Sequence, residues 1–239
     1  MTPPQSRGII WHTPAGYIEE VAVGLLSAED REYLAREFQE KLKAEVVLHF
    51  FRDGDEASEV TQQILEELEG LDPRITVRRH SFPQDEDSVK RFAIDKAPAI
   101  VVARVDRDFG IRFYGMPTGY EFSSLVEDVI DVSRGEVDLP RDVLEELQEL
   151  DSDVHIQVFV TPACPYCPRA VRTAHKFAMA SDRITADMVM ATDFNDLSTR
   201  YGITAVPHMV VNETTNFIGT LPEQQFLAEV LKGARSEPE

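Results

Sequence analysis

The sequence predicts an α/β protein of two tandem units, each a mixed central sheet flanked by helices. Three observations carry this. Sliding the chain against itself by 109 residues gives a long ungapped match, which marks an internal repeat. Short apolar runs alternate with longer stretches at helical spacing, the order of a layered α/β domain. A length of 239 residues with 43% hydrophobic side chains suits one large domain or two small ones with real cores.

In the repeat, Val47-Leu48-His49-Phe50-Phe51 falls on Ile156-Gln157-Val158-Phe159-Val160, and Arg74-Ile75-Thr76 on Arg183-Ile184-Thr185. Ala97-Pro98-Ala99-Ile100-Val101-Val102 falls on Val206-Pro207-His208-Met209-Val210-Val211. The offset then drops to 104, aligning Phe113-Tyr114-Gly115 with Phe217-Ile218-Gly219. The difference sits at Asp106–Gly110, where Asp and Gly predict a longer turn in the first copy.

Each unit reads strand, helix, strand, helix, strand, strand, helix. The first strands, 46–51 and 155–160, are short apolar runs of the kind buried in a central sheet. Ile64, Leu65, Leu68 and Leu71 fall at helical spacing behind the first of them. Second strands follow at 75–81 and 184–191, then short helices ending near Ile94 and Ile203. A proline-led strand, a strand before a shared glycine and an amphipathic helix close each copy. Ahead of the first unit, Ser27-Ala28-Glu29-Asp30 is a capping box for a helix with Leu34, Phe38 and Leu42 inward. The expected organisation is therefore an extension over 1–24, a first unit over 25–135 and a second over 136–239. A helix at Val143–Leu150 links the two.

With 24 basic and 43 acidic side chains, the formal charge is −19. Such a surface repels phosphate backbones, so no nucleic-acid partner is expected. No run reaches the ~20 apolar residues of a membrane helix, and the N-terminus lacks a charged flank followed by an apolar stretch. A cytoplasmic protein without membrane partners is expected. Residues 1–150 hold a net −15 and residues 151–239 a net −4. In the second part, Pro162–Ala180 carries Arg169, Arg172 and Lys176 and no acid.

The two cysteines, Cys164 and Cys167, follow a buried strand and open a helix. A thiolate is the reactive form, and free N–H groups with the helix dipole favour an anion there. Pro165 suits the first helical position, and Tyr166 shapes access to Cys164. Arg169, Arg172 and Lys176 add positive potential, with helical spacing turning some of them away from the sulfur. Cys164 is expected to ionise well below ~8.5, with Cys167 more sheltered and able to resolve a mixed disulfide. Pro168 is expected to kink the helix and orphan a carbonyl. A zinc site would need two more ligands from six scattered histidines without the usual spacing, and a covalent haem would need His in place of Pro168. An inert buried pair is the other alternative. Pro207 begins a strand where proline is awkward; a cis bond there would expose the Val206 backbone to an extended substrate. No metal is expected, and no cofactor beyond the cysteine pair. His175 is expected on the helix surface and His208 on a strand edge.

The strand–helix bearing the motif, the proline-led strand and the element order resemble the thioredoxin fold, and Cys164-Pro165-Tyr166-Cys167 resembles the glutaredoxin form of its site. Phe109-Gly110-Ile111-Arg112-Phe113-Tyr114-Gly115, Glu127-Asp128-Val129-Ile130-Asp131-Val132-Ser133-Arg134 and Cys164–Arg172 look like the glutaredoxin-like protein disulfide oxidoreductases of thermophilic archaea and bacteria. The resemblance implies oxidation, reduction or isomerisation of protein disulfides, with recharging by a thioredoxin-reductase-like flavoprotein. It makes Cys164 the nucleophile, Cys167 the resolving thiol and Pro207 the cis-proline.

The departures matter as much. The best-known family members carry a Cys-x-x-Cys in each unit, whereas here the repeat sets Asp55 opposite Cys164 and Ser58 opposite Cys167. Asp55 suits an N-cap instead, and the first unit reads as a scaffold or docking surface. A one-site tandem also resembles the N-terminal domain of the flavoprotein reductase that feeds alkyl hydroperoxide peroxiredoxin, so electron relay to a peroxiredoxin is a second reading. A redox-gated peptide-binding adaptor without catalysis is a third. The buried acid that thioredoxins place six residues before the first cysteine is Val158 here, with Gln157 beside it. The glutathione-recognition pattern near the last helix is absent at Gly219-Thr220-Leu221-Pro222-Glu223.

Overall fold

A computed structural model describes residues 25–235; the extension expected over 1–24 lies outside the described residues. Eight strands form one sheet in the order β2-β1-β3-β4-β6-β5-β7-β8. In the first half, β1 (Val46–Arg52) runs parallel to β2 (Ile75–Ser81) and antiparallel to β3 (Ala99–Arg104), which turns into β4 (Asp108–Tyr114). The second half repeats this with β5 (Val154–Val160), β6 (Ile184–Met190), β7 (His208–Val211) and β8 (Thr215–Ile218). The halves join where β4 pairs parallel with β6, from Ile111↔Ala186 to Tyr114↔Val189.

Alternation along the strands sorts side chains to two faces. Leu48, Phe50, Phe113, Ile156 and Val158 enter the main core. There they meet α1 (Ala28–Lys41), α2 (Glu56–Glu69), α4 (Glu121–Arg134), α5 (Arg141–Gln148), α6 (Cys167–Ala180) and α8 (Glu223–Arg235). Phe51, Val101, Tyr114, Phe159 and Val189 face the other way, under α3 (Glu86–Phe92) and α7 (Asn195–Arg200). Ser27 caps α1 by accepting from Asp30 N at 3.1 Å. Asp55 caps α2 by accepting from Ser58 N at 2.7 Å, as its place at a helix start predicts.

One expectation is corrected. The extra residues of the first copy do not lengthen the turn: Asp108 and Gly110 lie inside β4, and the turn is confined to 105–107. The insertion lengthens the hairpin instead, to six- and seven-residue strands against four each for β7 and β8. The pairing of β4 with β6 uses Ile111–Tyr114, the part of β4 that the repeat sets opposite β8. Gly110, at φ +78°, lies so close to Ile184 that a Cβ would stand 2.5 Å from its carbonyl oxygen. Among the described residues no helix is long and apolar enough to cross a membrane.

Candidate active site

Cys164 follows β5, whose apolar residues are drawn into the middle of the sheet, and the sulfur emerges just beyond its C-terminal end. The cysteines are joined in a disulfide, with Cα atoms 5.5 Å apart. Cys164 keeps 8% of its surface and Cys167 none, so one sulfur is reachable and the other is sealed. Pro165 is exposed, and Tyr166 beside it is 68% exposed. Across from the pair, the Val206–Pro207 bond is cis, and the Val206 carbonyl oxygen lies 3.9 Å from Cys164 Sγ. The structure thus brings Cys164, Cys167, Val206 and Pro207 together, with Pro165 and Tyr166 on the open side. Ala97–Pro98 is cis as well.

The local expectations for the two prolines fail. The helix starts at Cys167 with Tyr166 as its N-cap, so Pro165 lies ahead of it. Pro168 then falls in the first turn, where N–H groups have no helical partner and a missing one orphans nothing. Arg172 is one of the side chains that helical spacing turns away from the sulfur. It is buried and paired with Glu127 (Nε to Oε2, 3.2 Å), Asp128 and Asp131, all on α4. Arg169 is exposed, and Lys176 donates to the Asp138 carbonyl oxygen at 3.4 Å.

Both histidine expectations are overturned. His175 is fully buried, with Nδ1 2.6 Å from Asp128 Oδ2 and its ring edge-on to Phe113. Burial and the Arg172 charge push its pKa down to about 3, so a neutral ring donates to the carboxylate. His208 is buried between β5 and β8, with Nε2 3.2 Å from Asn216 Oδ1. Helix spacing places residues on a face but does not say which neighbour covers it, and α4 covers this one.

Helices α4 and α6 lie side by side in the same direction. Tyr120 N donates to the Pro162 carbonyl oxygen at 3.1 Å at their starts, and Asp128 meets Arg172 and His175 farther along. Gly119, at φ +62°, fits so tightly that a Cβ would stand 2.1 Å from the same oxygen. Glu121 and Cys167 therefore occupy the opening turns of adjacent helices, both with no exposed surface. The Glu121 carboxyl accepts from Ser124 Oγ at 2.7 Å, its other oxygen has no partner, and burial raises its pKa to about 7. Sequence reading missed this acid. Its signal was the spacing of Glu121 and Asp128, seven apart on the face that also carries Leu125 and Val132.

A thioredoxin domain family matches residues 154–232. An alkyl hydroperoxide reductase of Staphylococcus aureus is 25% identical over 206 residues, 86% of this chain and 38% of that protein. The chain spans less than two fifths of the length of such curated relatives. Among solved structures, the N-terminal domain of an alkyl hydroperoxide reductase from Enterococcus faecalis superposes with a TM-score of 0.80 at 26% identity, covering 86% of this chain and 99% of that one. A protein disulfide oxidoreductase from Aeropyrum pernix gives 0.79 at 29% identity, covering 87% and 93%. Fold, site and comparisons agree: this is a thioredoxin-fold chain whose residues 154–232 form a thioredoxin domain carrying a disulfide redox centre of the oxidoreductase type.

Proposed function

We propose that the chain is a protein disulfide oxidoreductase working by thiol–disulfide exchange at Cys164 and Cys167. The observation that carries this is the asymmetry of the disulfide, with Cys164 reachable beside Val206 and Cys167 sealed. In the reducing direction, the Cys164 thiolate attacks one sulfur of a substrate disulfide, and the other sulfur leaves as a thiolate. Cys167 gives up its proton, for which the buried Glu121 on the neighbouring helix is the proposed acceptor. The Cys167 thiolate then attacks Cys164 Sγ, reforming the disulfide and releasing the second substrate thiolate. Val206 and Pro207 hold the substrate backbone, while Pro165 and Tyr166 border its approach. A thioredoxin-reductase-like flavoprotein would return two electrons to the pair.

A second reading is favoured by the single redox pair and by the likeness to the N-terminal domain of the hydroperoxide reductase. Here the chain relays electrons from a flavoprotein to a peroxiredoxin. The redox potential divides the two readings. A value near about −270 mV suits a reductant or relay, and one near about −180 mV an oxidase or isomerase. Cys164→Ser should abolish insulin reduction, and Cys167→Ser should accumulate a mixed disulfide with the substrate. Undiminished turnover by Cys164→Ser would sink the proposal, and stoichiometric rather than repeated reduction would point to the adaptor reading.

A further inference from the structure

The first half holds a cavity of about 290 Å³ where its own redox pair would stand. Its wall is made by Asp55, Glu56, Ala57, Val60, Ala97 and Pro98. The 109-residue repeat sets these opposite Cys164, Pro165, Tyr166, Arg169, Val206 and Pro207. Met116 and, from the second half, Asp193 close this groove. Its lining is apolar through Ala57, Val60, Ala97, Pro98 and Met116, and it carries three carboxylates, Asp55, Glu56 and Asp193. Among the described residues no Lys, Arg or His forms an ion pair with Asp55, Glu56 or Asp193. Asp55 caps α2, and Asp193 Oδ2 accepts from Met116 N at 2.8 Å. The half-buried Asp193 titrates above the usual carboxylate range because of desolvation, with Asp55 pushing the same way. Carboxylates without a cationic partner, set among apolar side chains, complement a cationic side chain on an extended backbone.

A short loop links the groove to the segment that carries the disulfide. The loop, from Met116 to Tyr120, lines the groove at one end and hydrogen-bonds Pro162 at the other. Four residues span at most about 14 Å, and two more separate Pro162 from Cys164, so an extended polypeptide can reach both places. We propose that this groove is a second docking site for protein substrates, taking an extended segment with Lys or Arg that flanks the reactive disulfide. The inference rests on the exchange reading for what the occupant is, and the groove adds affinity by holding the substrate near Cys164.

The test starts with the full chain carrying Cys164→Ser, so binding is read without exchange. The probe is a short fluorescein-labelled peptide without cysteine, with two arginines among small residues, followed by fluorescence anisotropy. Asp55→Asn with Asp193→Asn keeps the oxygens that accept from Ser58 N and Met116 N and removes both charges. It should weaken binding roughly tenfold. Ala57→Trp, which fills the groove and leaves its charge alone, should do the same, and a glutamate version of the peptide should not bind. With both cysteines present, the double Asn variant should raise KM for an arginine-flanked protein disulfide at unchanged kcat. It should leave turnover of bis(2-hydroxyethyl) disulfide as it was. Binding unchanged in both variants, or equal for the acidic peptide, overturns the groove. A chain that binds the peptide as expected yet reduces no disulfide sinks the exchange reading and leaves the groove standing.

Discussion

Glu121 holds its proton to about pH 7 when folded and releases it near 4.5 when unfolded. The folded state therefore binds more protons across that window, and stability falls as pH rises through it. Above pH 7 the burial is worth about 3 kcal/mol against folding. Glu121→Gln should remove that slope, so urea melts at pH 5 and pH 8 should differ by about 3 kcal/mol less than in the parent. The same variant should slow resolution by Cys167, visible as a longer-lived mixed disulfide. Arg172 presents the opposite case. Replacing it with Met leaves the buried Asp128 without its cation and should cost about 3–5 kcal/mol in a thermal or urea melt. Neither residue was legible in the sequence as buried, although both lie on amphipathic helices. Their surroundings come from α4 meeting α6, a contact between positions some 45 apart in the chain, as in Arg172 with Glu127, which local periodicity does not encode.

Single elements were far more legible. The Cys-x-x-Cys pair after a buried strand, the capping Ser27 and the capping Asp55 are local patterns, and local hydrogen bonds decide them. Helix α6 shows the limit, because Pro165 and Pro168 both suit a first turn and only the fold chooses between them. At this scale, Asp55→Ala should destabilise α2 by about 1 kcal/mol, whereas Asp55→Asn should leave the melting temperature close to the parent's. Gly119→Ala tests the loop that ties α4 to the disulfide. Its Cβ would drive into the Pro162 carbonyl, and the loop would have to move. Thermal stability should drop, and exchange should slow with it even though no atom of the cysteine pair is altered.

Across the whole molecule, the −19 charge sets how substrates arrive. Association with basic protein substrates should be steered and should slow as salt rises, while acidic substrates should gain from added salt. Stopped-flow reduction of both kinds at several ionic strengths would read this directly. The other global feature is the β4–β6 pairing, which turns two repeats into one sheet. A fragment of residues 136–239 would bare the β6 edge and leave Arg172 and His175 without their partners on α4. It should aggregate or fail to fold, as soluble yield and circular dichroism would show. The pairing also bears on how such a chain can change by descent. Once the copies were sewn along one seam, either could lose its thiols and still serve as its sister's wall. Mutation is free to silence the first copy, while deleting it would remove the edge on which the working copy folds.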